Sequence, residues 1–225
     1  MDQSPARATL DDTQLGPLCS LDDPTRRRLY EHVAAAREAV TRDQASAALE
    51  LDRSLVAYHL DRLVDEGLLT VSFARPEGRG GPGAGRPAKH YERVDREFTV
   101  SVPPRDYRLA AELLARAAEI DASGTVRRAL DQAATDLGRE LVAAQGDDTE
   151  DLIGHLARQG FEPYDQGGVT RLRNCPFHQL VREHTELVCG MNLAMLTGVI
   201  EALDADVRPR LDPAPDRCCV AFDHR

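Results

Sequence analysis

Four of the five cysteines fall in the last 51 residues of the chain and form its densest set of reactive side chains. Cys175 opens the segment Cys-Pro-Phe-His, so His178 follows it by three residues. Cys189 comes next, and Cys218 and Cys219 are adjacent. A thiolate is both the metal-binding and the nucleophilic form of cysteine, and a helix start favours it. The cluster predicts a metal or thiol redox site, with buried structural thiols as the alternative reading.

A second set of residues is basic. Between positions 75 and 93 the chain has five Arg or Lys and only two acidic residues. The stretch RPEGRGGPGAGRPAK is too rich in Gly and Pro for a helix or a regular strand interior, so it predicts a flexible loop between two strands. A basic loop can lie along DNA phosphates or enter the minor groove. The predicted DNA contacts in this segment are Arg75, Arg79, Arg86 and Lys89.

A helix predicted over residues 53–66, with Asp52 as its N-cap, carries a third set. Val56, Leu60 and Leu63 are spaced to form its core face. The remaining candidates for DNA contact in this helix are Arg53, Ser54, Tyr58, His59 and Arg62. Arg53 is the best candidate for a guanine because its forked donors can pair with O6 and N7. His59 is predicted to donate to a phosphate. Ordinary solvated charges are the alternative for Arg53 and Arg62.

The elements around these residues predict a winged helix-turn-helix. Helices are predicted over residues 24–39, 43–49 and 53–66, and a strand begins after Gly67. The basic loop follows, and Tyr91 begins the return strand. A helix of about three turns fits the major groove, and its N-terminal residues meet the base edges.

Residues 98–145 predict one more strand and two helices. Phe98, Val100 and Val102 alternate as in a strand, and the second helix is predicted to begin near Ser123, its cap. An apolar stripe then recurs at steps of four, three, four and four residues, at Val126, Leu130, Ala133, Leu137 and Leu141. Such a stripe predicts a partner helix, either in a second copy or in the same chain.

The last part of the chain predicts a small α+β unit. Its expected elements, in order, are a helix at 152–159, a hairpin at 161–164 and 169–173, one or two helices within 177–203, and strands at 207–211 and 218–222. Adjacent residues of a strand point to opposite faces. Only one of Cys218 and Cys219 is therefore expected to reach a shared site.

Residues 20–96 resemble a known family. The stretches LDDPTRRRLYEHV, SLVAYHLDRLVDEGLL and GPGAGRPAKHYERV are similar to bacterial winged-helix regulators of the ArsR/DeoR-like group. The resemblance implies a DNA-binding transcription regulator, most simply a repressor, that binds double-stranded operator DNA as a homodimer. Its two half-sites would lie about one helical turn apart.

The segments NCPFHQLVREHTELVCGMN and LDPAPDRCCVAF resemble the C-terminal half of SufR-type iron–sulfur-sensing repressors. That resemblance implies an iron–sulfur cluster held by Cys175, Cys189 and one of Cys218 or Cys219. The region around residues 203–211, where the family has its third cysteine, has none. His178 could complete a four-ligand site, a cluster could keep one open iron, or zinc could replace the cluster.

Net charge at first argues against DNA binding, because the chain has a formal charge of −10. Residues 1–96 account for only −2 of this and residues 97–225 for −8, while residues 75–93 carry a local +3. No run of about 18 apolar residues predicts a membrane span, and no secretion signal precedes the first helix, so we expect a cytoplasmic protein. No nucleophile–base pair, phosphate-binding loop or paired carboxylates predict an enzyme.

The sequence thus predicts an α+β protein in four parts. These are a loose leader (1–20), a winged helix-turn-helix DNA-binding domain (21–103), a helical linker and dimerisation region (104–146) and a cysteine-containing sensor domain (147–225). A metal, an iron–sulfur cofactor or thiol oxidation in the sensor domain is predicted to set operator affinity. The alternative is a hydrophobic pocket for a small molecule, with structural cysteines.

Overall fold

The computed structural model describes residues 12–74, 87–102, 105–144, 151–214 and 217–224. The chain divides into two compact units, Met1–Arg105 and Asp106–Arg225. Both units mix helices with antiparallel sheet, as predicted for an α+β protein.

In its described residues, unit 1 contains four helices and three strands. In chain order they are α1 (Asp12–Ser20), α2 (Pro24–Ala35), β1 (Val40–Thr41), α3 (Arg42–Leu49), α4 (Arg53–Asp65), β2 (Leu69–Ala74) and β3 (Ala88–Arg93). The three helices and two strands predicted for the DNA-binding domain are confirmed, although α2 ends four residues early. The loose leader is wrong for residues 12–20, which form α1 despite Pro17.

Local capping explains where the helix-turn-helix begins. The Thr41 hydroxyl accepts from the backbone N–H of Gln44 at 3.3 Å, and the Gln44 side chain accepts from the Thr41 N–H at 2.8 Å, which completes a capping box before α3. The Asp52 carboxylate accepts from the N–H groups of Ser54 and Leu55 and so starts α4 as predicted. These hydrogen bonds lower the pKa of Asp52, the side-chain bond from Ser54 most of all.

The core of unit 1 lies between α2, α3, α4 and the sheet. Its members are apolar side chains that are almost fully buried, with Leu29, Val56, Leu60, Leu63 and Tyr91 at its centre. The sheet order is β1-β3-β2, and both pairings are antiparallel.

The strand predicted near residues 98–102 is wrong, because the described residues there have no strand conformation. Phe98 nevertheless packs against the core of unit 1. Alternating apolar residues indicate that one side of the segment is buried. A strand also needs a neighbouring backbone with which to pair.

Unit 2 contains five helices and four strands in its described residues. They are α5 (Tyr107–Glu119), α6 (Thr125–Ala143), α7 (Leu152–Arg158), β4 (Pro163–Asp165), β5 (Val169–Leu172), α8 (His178–Val181), α9 (Thr185–Leu203), β6 (Val207–Leu211) and β7 (Val220–His224). The sheet order is β4-β5-β7-β6, antiparallel throughout. The predicted elements of this part are confirmed, with shifts of one or two residues at several ends.

The start of α6 differs from the prediction in its cap. Gly124 occupies the N-cap position with a φ of 65° and offers no side chain. The Asp121 carboxylate instead accepts from the N–H of Val126 at 2.8 Å, while the Ser123 hydroxyl donates back to Asp121. Ser123 orients this carboxylate, and its own hydroxyl accepts from the N–H of Thr125 at 3.2 Å, so it contributes to the cap from the position before Gly124.

Helices α6 and α9 pack against each other at backbone contact. A Cβ added to Gly138 would collide with the carbonyl oxygen of Met195, and one added to Gly198 would collide with that of Thr135. Glycine is the one residue that allows this approach at both positions. The helices of the predicted linker are thus part of the second unit, and the partner of α6 is a helix of the same chain.

Helix α9 is the core helix of unit 2. It packs under the sheet with a cluster that includes Leu156, Phe161, Leu172 and Phe222. By length and composition α9 could cross a membrane, because its mean hydropathy is 1.4. Half of this apolar stretch is buried within the unit. The sequence does not show α9 as an unbroken apolar run, because Glu186, Asn192 and other polar residues interrupt it.

Candidate DNA interface and thiol cluster

The N-terminal end of α4 is exposed and presents the predicted base-reading residue. Arg53, the first residue of the helix, lies on the surface and is held by Asp43 in the first turn of α3. The Arg53 Nε lies 2.6 Å from Asp43 Oδ1, and Nη2 donates to Oδ2 at 3.0 Å. The fork of the guanidinium is therefore already oriented by two parallel contacts, the pattern with which it would meet guanine.

Other predicted contacts on α4 also lie on the surface. Tyr58 is 62% exposed. The Ser54 hydroxyl is close to the Asp52 carboxylate and donates to it, which places it at the helix start. Arg62 lies one further turn along and pairs with Glu66 through a 2.7 Å contact. All three can face a ligand, although Arg62 must give up an intrahelical ion pair to do so.

His59 does not belong to this surface. It is only 6% exposed, and its Nδ1 accepts a hydrogen bond from the Nε of Arg26 at 3.4 Å. Arg26 in turn donates to the hydroxyl of Ser20 at 2.9 Å, so the ring lies in a buried polar network between α1, α2 and α4. The expectation that His59 donates to a phosphate is wrong for this structure. Its position between Tyr58 and Leu60 gave no signal of this network.

Of the predicted basic loop the structure describes residues 87–89, and of its four predicted DNA contacts it describes Lys89. Lys89 lies on β3, and its ammonium contacts Asp61 of α4 at 2.7 Å. Arg75, Arg79 and Arg86 lie outside the described residues, so their prediction as DNA contacts stays untested. Asp43 and Asp61, which hold two of the predicted cations, are functional candidates that the sequence analysis missed. Both are acidic residues beside a helix predicted to bind DNA, and the sequence gave no reason to select them as part of a DNA interface.

In unit 2 the tertiary structure brings the four late cysteines together. The thiol of Cys175 contacts Cys218, Cys218 contacts Cys219, and Cys219 contacts Cys189. All four are free thiols, and Cys175 is the most accessible of them. They come from the segment after β5, from α9 and from the segment before β7. Cys19, in contrast, is exposed in α1 of the other unit.

The contacts connect the four thiols in a row, in the order Cys175, Cys218, Cys219 and Cys189. Both Cys218 and Cys219 belong to this row, so the prediction that only one of them would reach a shared site is wrong. β7 begins at Val220, and Cys219 lies in a bend before the strand. Opposite-facing side chains are a property of regular strand backbone, and the bend removes that constraint. The two neighbouring thiols can therefore contact each other.

Hydrogen bonding distributes charge unequally within the row. The hydrogen bond from Cys175 lowers the pKa of Cys218 well below the usual thiol range, with help from Cys219. The same bond and burial raise the pKa of Cys175, and contact with Cys218 and burial raise that of Cys219. Asn192 adds an amide donor to the Cys218 sulfur at 3.4 Å. Among these thiols, Cys218 is the one whose pKa is lowered by its neighbours.

Asn192 is a member of the cluster that sequence reasoning missed. It is 1% exposed, and its Oδ1 is buried without a hydrogen-bond partner. A buried amide oxygen without a hydrogen-bond partner costs free energy. The signal was a single amide inside the long apolar run of α9, three residues after Cys189.

Four thiols have the donor chemistry of a zinc or iron–sulfur site. Within the described parts of the chain, however, no group of three or more His, Cys, Asp or Glu side chains could hold a metal ion. The thiol contacts run along a row. The four cysteines therefore match the ligands of a metal or cluster site in their donor chemistry but not in their arrangement. His178 begins α8, where its N–H donates to the Cys175 carbonyl at 3.0 Å. Its role as a ligand stays a prediction.

An apolar surface on α5 and α6 is the third candidate feature. The buried residues of α5 are Ala115 and Ala118, whereas its large side chains point outward. The exposed members of this surface are Tyr107, Leu109, Leu113, Leu114, Ile120, Val126 and Leu137. Ile120 is 82% exposed. Patches of this kind mark protein–protein contacts.

A cavity of about 390 Å³ lies between the α5–α6 turn and the start of α9. Its lining includes Glu119, Asp121, Glu186 and Arg127 together with apolar groups. The Glu119 carboxylate contacts Nδ1 of buried His184 at 2.9 Å, and Arg127 donates to the carbonyl of Glu186 at 2.7 Å. This lining is strongly charged and differs from the hydrophobic pocket of the alternative prediction.

Comparison with known proteins identifies unit 1. A family model described as a helix-turn-helix domain matches residues 21–72, which span α2, α3, α4 and the start of β2. No curated protein and no solved structure matches the chain significantly. The family match does not reach unit 2, so its resemblance to SufR-type repressors stays a prediction. The first unit is a helix-turn-helix domain, the module with which transcription regulators bind DNA.

Proposed function

We propose that this protein is a transcription repressor of the cytoplasm that binds double-stranded operator DNA as a homodimer. The observation that carries the proposal is the helix-turn-helix of α3 and α4, which matches its family and exposes the N-terminal end of α4. In this arrangement α4 enters the major groove. Its exposed Arg53, Ser54 and Tyr58 are the residues nearest to the bases.

Arg53 is the proposed reader of a guanine. In the free protein its guanidinium makes two contacts with Asp43, which orient its forked donors side by side at the surface. Guanine O6 and N7 offer the same pair of acceptors that the carboxylate offers in the free protein. Exchange of Asp43 for guanine keeps both hydrogen bonds satisfied.

The test begins with a duplex selected from a random-sequence library by the full-length protein. Arg53→Ala is expected to weaken binding to that duplex by about 1–3 kcal/mol and to remove the preference at one base pair. The matched control is Arg28→Ala, which removes the same charge from the exposed side of α2. The base-reading role fails if both variants lose the same affinity and neither loses preference.

The homodimer is supported by the apolar surface of α5 and α6. Its large side chains, such as Leu114 and Ile120, are more than two-thirds exposed in the single chain. A second copy that covers this surface would remove them from water and pair two DNA-binding domains, as two half-sites require. Sedimentation of the purified protein tests this, because a monomer at micromolar concentration would contradict it.

Control of DNA binding is proposed to reside in the four-cysteine row. Either loading with a metal or an iron–sulfur cofactor, or oxidation of the thiols, would change its state, and this state would set operator affinity. Support comes from the gathering of Cys175, Cys189, Cys218 and Cys219 in one buried place from distant parts of the sequence. Iron with sulfide, zinc, or neither would be distinguished by elemental analysis and an absorbance spectrum of anaerobically purified protein.

The decisive measurement is the affinity for the selected duplex before and after chelation and after mild oxidation. Cys218→Ser should abolish the response, since Cys218 contacts two other thiols. Cys19→Ser is the matched control, because Cys19 is exposed and belongs to unit 1. Equal affinity in all states of the parent protein would disprove this control while leaving DNA binding intact.

A further inference from the structure

One carboxylate oxygen joins α4, the recognition helix of the proposed function, to strand β3. Asp61 Oδ1 accepts from the Nζ of Lys89 and from the hydroxyl of Tyr91, each at 2.7 Å. Asp61 lies on α4, whereas both donors lie on β3. We call these three residues the Asp61 cluster.

The geometry of β3 explains why two donors converge on one acceptor. Lys89 and Tyr91 are two residues apart, so they lie on the same face of the strand. Tyr91 is fixed within the core, with 1% exposure, and its strand partners are Val40 on β1 and Val71 on β2. Its hydroxyl is therefore a rigid donor, and Lys89 is placed beside it.

The electrostatics of the cluster agree with these contacts. Burial would by itself raise the pKa of Asp61, but the hydrogen bonds from Lys89 and Tyr91 outweigh it, and the pKa is lowered. Burial and the bond to Asp61 raise the pKa of Tyr91. Asp61 is thus held as a carboxylate, and Tyr91 as the protonated donor that it requires.

Lys89 makes a contact that its sequence context does not predict. Its ammonium is paired with Asp61, and both side chains are about two-fifths exposed or more. An ion pair with this exposure contributes little to stability. Its main consequence is geometric, because β3 begins at Ala88, which pairs with Ala74 at the end of β2. The cluster lies one residue from that end of the sheet.

We propose that Asp61 is a positioning residue for DNA binding, which fixes the end of the β2–β3 hairpin against the recognition helix α4. Lys89 acts through Asp61 in this role and is not primarily a phosphate contact. The inference deepens the proposed function and rests on the DNA binding proposed above.

The sign of the effect separates this role from simple electrostatics. A carboxylate beside a DNA interface repels phosphates, so its removal should strengthen binding if charge alone mattered. A positioning role predicts the opposite result. Asp65 provides the matched control, because it is an exposed carboxylate on the same helix, outside the cluster.

The experiment uses the full-length protein and the duplex selected by the parent chain, with fluorescence anisotropy at several salt concentrations. Asp61→Asn is expected to weaken binding at least fivefold, whereas Asp65→Asn binds as tightly as the parent or more tightly. Lys89→Met is also expected to weaken binding. The double variant should be no weaker than the weaker single variant, because both changes remove the same link.

Salt dependence gives a second, independent reading. If Lys89 contacts a phosphate directly, Lys89→Met alone should lower the slope of log affinity against log salt by about 0.9. If it acts through Asp61, Asp61→Asn and Lys89→Met should change the slope equally. A Lys89-only change of slope, multiplicative losses in the double variant, or unchanged or tighter binding by Asp61→Asn would each overturn the proposal.

Tyr91→Phe covers the case in which Asp61→Asn does not fold. It keeps the buried ring and removes one of the two hydrogen bonds, so a smaller loss of about twofold is expected. Unchanged affinity in a folded Tyr91→Phe protein would count against the proposal. A parent protein that selects no duplex would instead disprove the DNA-binding function on which the inference rests.

Discussion

The two units bury their helices in different ways. In unit 1, α2 and α4 meet through large apolar side chains such as Leu29, Leu60 and Leu63. In unit 2, α6 and α9 meet through Gly138 and Gly198, while the large side chains of α5 and part of α6 remain exposed. An apolar stripe therefore marks the intrachain core in one unit and leaves a free surface in the other.

Large apolar residues thus indicate which side of a helix avoids water, but not which partner covers it. The stripe of α6 includes Leu137, which is 46% exposed, while the same helix packs on α9 through Ala134 and Gly138. Small residues permit close backbone approach and give no periodic hydrophobic signal. Three substitutions can test this comparison.

The largest effect is expected in the core of unit 1. Leu60→Ala should reduce the free energy of unfolding by about 2–5 kcal/mol, because Leu60 is fully buried and the change leaves a cavity. Thermal or denaturant unfolding followed by circular dichroism measures the loss. Leu137→Ala is the matched comparison in unit 2, and a loss as large as that of Leu60→Ala would show that the α6 stripe is core after all.

A smaller effect is expected at the helix contact in unit 2. Gly198→Ala should cost about 1–3 kcal/mol, because its Cβ meets the carbonyl of Thr135 and the helices must separate. Gly190→Ala lies on the same helix and meets only the flexible end of Arg127. It should be neutral or stabilise the protein by about 0.5–1 kcal/mol, since alanine favours helix. Equal stability of the two variants would contradict the close packing.

The smallest effect on the single chain is expected on the exposed surface of α5. Leu114→Glu should change the free energy of unfolding of the monomer by less than about 0.5 kcal/mol, because the side chain is already in water. It should nevertheless convert the dimer to monomer in sedimentation experiments. Glu112→Gln, on the same helix, serves as the control. A Leu114→Glu protein that remains dimeric would place the interface elsewhere.

The DNA-binding unit was largely predictable because its signals are local. Asp52 caps α4, Gly67 follows it, and the apolar spacing of Val56, Leu60 and Leu63 gives the buried face. His59 was the exception among the α4 candidates. Its burial depends on Arg26 and Ser20, which are distant in sequence, and no pattern within α4 reports them.

The thiol row was predictable only in composition. The gathering of four of the five cysteines in the last 51 residues selected Cys175, Cys189, Cys218 and Cys219 as a set. Their order of contact, and the amide of Asn192 beside Cys218, depend on how α9 packs against the segments before β7 and after β5. Strand periodicity gave the wrong answer for Cys219 because it cannot report a bend.

Local sequence signals specify the helix-turn-helix, the α+β class and the residues able to do chemistry, because capping, turn formation and amphipathic spacing act over a few neighbouring residues. The contact of Asp43 with Arg53, the link from Asp61 on α4 to β3 and the row of four thiols form only in the folded chain. Apart from the adjacent pair Cys218 and Cys219, these contacts join residues that are 10 to 43 positions apart. Hydrogen bonds and thiol contacts act over a few ångströms, so only the folded chain can bring such partners together.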